Sequence, residues 1–145
     1  MNRIRRICVY LRLRLNLGIK LMYSVEADGS KRLVVISAAG HVTTEEVKAT
    51  AQELRDLVKD AAPGFRVLTD FRWLESMEPA AAHHIAEIMD ALVEKEVGKV
   101  VRVVPDPHKD IGLNILSPFH YGSKVQVATF ESLAEALQSL MESEN

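Results

Sequence analysis

A single cysteine, Cys8, serves all 145 residues. The chain therefore cannot close a disulfide within itself, and a zinc site built on several thiolates of one chain is excluded. Such sparing thiol use suits a reducing compartment, and a cytoplasmic location is expected. Proline and glycine are modest at five and seven, and no repeat, low-complexity tract or linker composition divides the chain. The most apolar stretch near the start, Val9 to Leu21, is broken by Arg12 and Arg14. It falls short of the roughly 7 to 15 uninterrupted apolar residues of a secretion signal and of the about 20 of a membrane span. No serine lies in a nucleophile-elbow pattern, and the glycines form no phosphate-binding loop. Cys8 lies on the polar face of a predicted strand with no basic helix terminus to activate it, which argues against a catalytic thiolate.

What is present is enough apolar surface for one core: 48% of residues are hydrophobic and 26% charged, well outside the disordered range. The formal net charge of -2 conceals an asymmetry. Residues 1–21 carry Arg3, Arg5, Arg6, Arg12, Arg14 and Lys20 and no acid, which leaves -8 for the remainder. A basic arm on an acidic body suits a second copy of the same chain. Without interleaved aromatics or a reading motif, no nucleic-acid partner is expected.

Within the arm, odd positions from Ile7 to Leu21 are apolar and even ones mostly polar, the period of a half-buried strand. Continued through Ala27, one straight strand would measure on the order of 70 Å at about 3.3 Å per residue. A domain of this size is roughly 40 Å across. The strand must bend near Asn16 to Gly18 or reach another subunit. A long edge with leucine on one face recruits a partner strand. We expect residues 1–21 to form a β arm that makes a homodimer or larger assembly, with folding back over its own sheet as the alternative. Residues 22–145 would form the domain proper.

Asp28-Gly29 reads as a hairpin turn into an apolar strand, Leu33 to Ser37. A helix follows, opened by the Thr43/Glu46 capping-box spacing, striped by Val47, Ala51, Leu54, Val58 and Ala61, and stopped by Pro63-Gly64. "FRVLTDF" is a short buried strand ending at Asp70. Pro79 then opens a second helix with Ala82, Ile85, Met89, Leu92 and Val93 as its core stripe. "KVVRVV" is a buried strand, residues 105–122 hold a loop and a short third helix, "KVQVATF" is the last strand, and Ser132 caps a terminal helix. Alternating strands and helices predict an α/β domain with a mixed, mostly parallel sheet and about four helices.

From Tyr23 to Leu140, about four fifths of the chain, this arrangement resembles the SpoIIAA-like, or STAS, superfamily. The early hairpin, "GHVTTEEV", "VLTDFRWLESMEP", "KVVRVVPDP" and "VATFESLAEAL" carry the resemblance. It implies a regulatory scaffold. Anti-sigma-factor antagonists of that superfamily place a phosphorylatable serine at the start of the second helix. Aligning Asp70 with their strand-end Asp puts Leu74 and Met77 on apolar positions, Glu78 on a second Asp, and Pro79 and Ala80 where serines would stand. No hydroxyl is available there, and Ser76 is the nearest substitute. The resemblance thus implies the scaffold without its switch.

In open α/β sheets ligands bind beyond the carboxyl ends of the strands, which groups Asp70 and Asp106 with Glu75, Glu78, His108 and Asp110 on one rim. Asp106, His108 and Asp110 could ligate a divalent metal, although aspartates in a proline-rich turn ordinarily cap backbone amides. His83 and His84, adjacent on a helix, should diverge by roughly 100° and not share a metal. One would pack and the other face solvent. His41 and His120 read as structural. Trp73, expected in a loop, should close the core, with a partner contact as the alternative. The leading expectation is a non-catalytic cytoplasmic regulatory or protein-interaction module using Asp70, Trp73, Glu78, Asp106 and His108, with no cofactor. Two alternatives are a carrier of a small apolar or lipid-like ligand, resembling the Sec14-type architecture, and a metal-assisted enzyme at the Asp70/Asp106/His108 rim.

Overall fold

Asp28 and Leu33 face each other across the first hairpin, where Asp-Gly was expected to turn the chain. The computed structural model describes residues 4–5, 22–28, 32–104, 106 and 120–142. Strand β1 (Ile4–Arg5) pairs antiparallel with β2 (Met22–Asp28), which pairs antiparallel with β3 (Leu33–Val42). From β3 onward the sheet is parallel, through β4 (Arg66–Met77), β5 (Lys99–Val103) and β6 (Gln126–Phe130), and the six strands stand in chain order. At Ile4 and Arg5 the chain thus lies against its own β2. The rest of the expected arm, including the bend near Asn16 to Gly18, falls outside the described residues, as do most of the expected third helix, His108 and Asp110.

Helix α1 (Thr44–Val58) begins where both halves of a capping box are made: the Glu46 amide donates to Thr43 Oγ1 at 3.3 Å, and the Thr43 amide to Glu46 Oε2 at 3.4 Å. Val47, Ala51, Leu54 and Val58 of the expected stripe are buried. Each large aliphatic among them contributes roughly 1.5 to 3 kcal/mol by leaving water. The chain then turns through Gly64 at φ +82°, whose amide donates to the Glu96 carbonyl at 2.7 Å, and a Cβ on Gly98 would meet the Gly64 carbonyl oxygen at 3.1 Å. The two turns that launch β4 and β5 are packed backbone on backbone.

Pro79–Ala81 form a 3₁₀ turn that leads into α2 (Ala82–Glu94). Ile85, Met89 and Leu92 are buried as expected. Ala82 and Val93 are exposed, because the inward stripe runs instead through Ile88 and Ala91. Helices α1 and α2 cover one sheet face around Val67 and Val100. The terminal helix α3 (Leu133–Glu142), whose Ser132 hydroxyl accepts from the Glu135 amide at 3.3 Å, covers Leu68, Val101 and Val103 on the other face. Arg66 Nη1 donates to the Leu140 carbonyl and Lys99 Nζ to that of Ser139 at 2.7 Å. Two cations from the starts of β4 and β5 therefore satisfy the last carbonyls of α3, at the negative end of its dipole.

A strand was expected to end at Asp70, and it does not. Strand β4 continues seven residues further, to Met77, and β3 runs on beside it to Val42. The partners shift from Ser37↔Asp70 to Ala39↔Trp73, and again from Gly40↔Leu74 to His41↔Ser76. Each shift inserts one extra residue on β4, as a bulge does. Phe71, Leu74 and Met77 consequently all reach the core at a spacing of three. Gly40, at φ +68°, supplies the backbone conformation needed at the second shift.

Candidate functional site

The carboxyl ends of the parallel strands are uneven. Asp70 stands level with Val103, the last residue of β5, so the stretch of β4 from Phe71 to Met77 extends past its neighbour as a ribbon paired with β3. Asp70 is mid-strand rather than at a strand end. Its carboxylate accepts from the Arg72 backbone amide at 3.1 Å and from Arg72 Nε and Nη2, each at 2.9 Å. That forked hydrogen bond raises the guanidinium pKa further above its ordinary range. The Arg72 guanidinium carbon in turn lies 5.8 Å from the centre of the Trp73 ring, within cation-π range.

Trp73 does not close the core. It is 68% exposed. The first bulge turns it out of the alternation that buries Val67, Thr69 and Phe71, so the largest side chain of the chain faces solvent on a strand, not in a loop.

Glu78, at the end of the ribbon, accepts from the Thr44 amide at 3.0 Å and the Thr44 hydroxyl at 2.7 Å. These bonds hold its carboxyl below the usual glutamate range, with the positive charge available on His41 adding to the effect. Glu78 thereby joins the start of α1 to the turn before α2. Beside it, His41 Nδ1 and Ser76 Oγ are 2.5 Å apart. Asp106 lies three residues beyond β5 and is half-buried. Of the expected rim, the structure places Asp70, Glu75, Glu78 and Asp106, while His108 and Asp110 are outside the described residues.

Two residues that sequence reasoning passed over lie beneath this rim. Arg102, in the middle of "KVVRVV", is 3% exposed and faces α1 and α2, and Tyr121 is 6% exposed. Burial pushes the Tyr121 hydroxyl up to about 12, against the opposing pull of a hydrogen bond from Arg102. Both line a mostly apolar cavity of about 60 Å³ with Ile36, Thr69, Phe71 and Ile88. A charge inside an apolar strand run was the available signal. For the adjacent histidines the expected split between packed and solvated holds. His83 is solvated and His84 packed, yet both rings reach the same acid, Glu87, with Nε2 of His83 at 3.1 Å and Nδ1 of His84 at 3.5 Å. His120 Nδ1 is 2.6 Å from Asp90 Oδ1.

No protein-family model and no curated protein matches the chain in sequence. Solved structures do. An uncharacterised DUF3478-family protein with a SpoIIAA-like fold from Shewanella loihica PV-4 superposes with a TM-score of 0.61 at 17% identity, over 83% of this chain and 93% of that one. The fold is SpoIIAA-like. The anti-sigma factor antagonist SpoIIAA in its unphosphorylated form gives a TM-score of 0.57 at 16% identity, covering 82% of this chain and 97% of that one. An anti-sigma factor antagonist from Mycobacterium paratuberculosis gives 0.55 at 20%, covering 88% and 99%. In this SpoIIAA-like frame Pro79 and Ala80 are exposed in the 3₁₀ turn, and Ala81 at the start of α2 makes no side-chain capping bond.

Proposed function

We propose that the protein is a non-catalytic interaction module that binds a protein partner through the ribbon of β3 and β4. The observation that carries this reading is the exposed Trp73, held beside an Arg72 that Asp70 fixes in place. A rigid aromatic flanked by an oriented arginine is the composition of an interface hot spot. The likeness to anti-sigma factor antagonists, proteins that act on other proteins, supports the same reading. The regulatory role, the cytoplasmic location and dimerisation through residues 1–21 belong to it. Among the described residues, no helix is long and apolar enough to cross a membrane. The test is quantitative affinity capture with the full chain and Trp73→Ala compared at equal folded content. Partners retained equally by both would overturn the ribbon as the binding surface. For the arm, light scattering of a chain beginning at Met22 should show a smaller assembly than the full chain; an unchanged mass defeats that part.

A second reading, a carrier of a small apolar ligand, is favoured by one observation: the mostly apolar cavity between the sheet and the α1/α2 layer has Arg102 and Tyr121 in its lining. Such a lining suits an apolar body with an acidic head. At about 60 Å³ the cavity is smaller than the roughly 150 Å³ that admits benzene, so loading requires the helices to part from the sheet. Native mass spectrometry of the purified full chain should show a copurifying acid that is lost in Arg102→Met, and a bare mass for both would count against the carrier.

A further inference from the structure

On the first two turns of α2, away from the ribbon and the cavity, three side chains converge. One ligand atom from each of His83, His84 and Glu87 lies within 4.8 Å of the other two. Nε2 of His83 and Nδ1 of His84 are 3.1 and 3.5 Å from Oε1 of Glu87. Adjacent helical residues point about 100° apart. Here the difference is absorbed because His83 reaches with its far nitrogen and His84 with its near one. We propose that His83, His84 and Glu87 bind a divalent transition-metal ion of the Zn²⁺ class, a site distinct from the interaction surface proposed above.

Three observations carry the proposal. The first is spacing. Zinc bonds of about 2.0 to 2.1 Å to nitrogen and oxygen place tetrahedral ligands roughly 3.3 Å apart. Two of the three separations already bracket that value. The second is the state of His84. Its side chain is largely packed away, and Nδ1 is shielded from water with no well-formed hydrogen bond, its approach to Glu87 Oε1 being 3.5 Å. A shielded imidazole nitrogen beside a carboxylate oxygen and a second imidazole is placed to serve as a ligand atom. The third is support from the neighbouring helix. Glu87 Oε2 takes a hydrogen bond from Arg55 Nη2 of α1 at 2.9 Å, which fixes the carboxylate and leaves Oε1 turned to the histidines. Ligating carboxylates are commonly oriented in this way from outside the coordination sphere.

The donor set also selects the metal class. Two imidazoles and one carboxylate suit zinc, copper or nickel over magnesium or calcium, which prefer oxygen. Three protein ligands leave a position open. His84 and Glu87 also line a groove of about 400 Å³ between α1 and α2, together with Glu45, Lys48, Gln52 and Arg55. Water fills a fourth position in sites of this kind. The guanidinium of Arg55 opposes a dication, so the ion is held less tightly than in a closed structural site.

The test is titration of the chelator-treated full chain with Zn²⁺ against a chromophoric competitor, together with Co²⁺ as a spectroscopic substitute. One equivalent should bind, with the Co²⁺ absorption of a four-coordinate site. His84→Ala and Glu87→Gln should each weaken binding at least tenfold. His83→Ala should do the same without affecting the fold, because His83 is largely solvated. His41→Ala and His120→Ala, which remove imidazoles elsewhere, should leave the affinity unchanged. Absence of stoichiometric binding, or binding unaltered in His83→Ala, overturns the site and leaves a surface ion-pair cluster.

Discussion

The two halves of β4 belong to one strand and obey different rules. From Arg66 to Asp70 it is paired on both sides, and Val67 and Leu68 point to opposite, fully covered faces. From Phe71 to Met77 it is paired with β3 alone and extends past β5, it carries two bulges that shift its register, and it turns its tryptophan outward. Adjacent apolar residues serve the first half because both faces are covered. The second half buries one face only, so its register can be spent on presenting side chains. Stability and display are separated by a few residues along a single strand.

That division can be broken at its strongest point first. Leu68→Ala empties a buried site in the regular half and should cost about 2 to 5 kcal/mol by urea denaturation. A loss below 1 kcal/mol would mean that the α3 face does not depend on this packing. At the second bulge, Gly40→Ala puts a side chain on left-handed backbone and should cost about 1 to 2 kcal/mol. No loss would show that the ribbon relaxes without the bulge.

Glu78 sharpens the comparison through pH. Its folded pKa lies below the ordinary 4.5, so the Thr44 contact contributes in full above that value and is lost as the pH falls through the lower folded one. Glu78→Gln should therefore flatten the acid limb of a melting-temperature profile. A variant with an unchanged acid slope would assign that slope to other carboxylates. The smallest stability effect is expected at Trp73. Exposed as it is, Trp73→Ala should change stability by under about 0.5 kcal/mol, and a shift of several degrees in melting temperature would return the indole to the core.

Much of this fold was legible in the sequence because local signals agreed with the tertiary outcome. The Thr43/Glu46 box, the stripe from Val47 to Val58 and the turn after Asp28 each encode their element within a few residues. The apolar run "KVVRVV" marked a covered strand correctly. The ribbon was not legible, since two bulges turn a period of two into a spacing of three at Phe71, Leu74 and Met77, which resembles a turn or helix start more than a strand. Trp73 was expected inside for the same reason. His83 and His84 were separated by ideal helix geometry, whereas their convergence depends on which ring nitrogen each presents, a matter of rotamers. Arg102 sits inside an apolar run that already specifies a strand, so its charge does not alter that reading.

The doubled bulge also changes what a change of length would mean here. In an ordinary surface connection one residue more or less alters only reach. Between Phe71 and Met77 the same event would rephase everything downstream, exchanging the greasy and wetted faces and carrying Leu74 toward water or the indole toward the core. This stretch should accept substitutions on its outward side and reject insertions and deletions throughout.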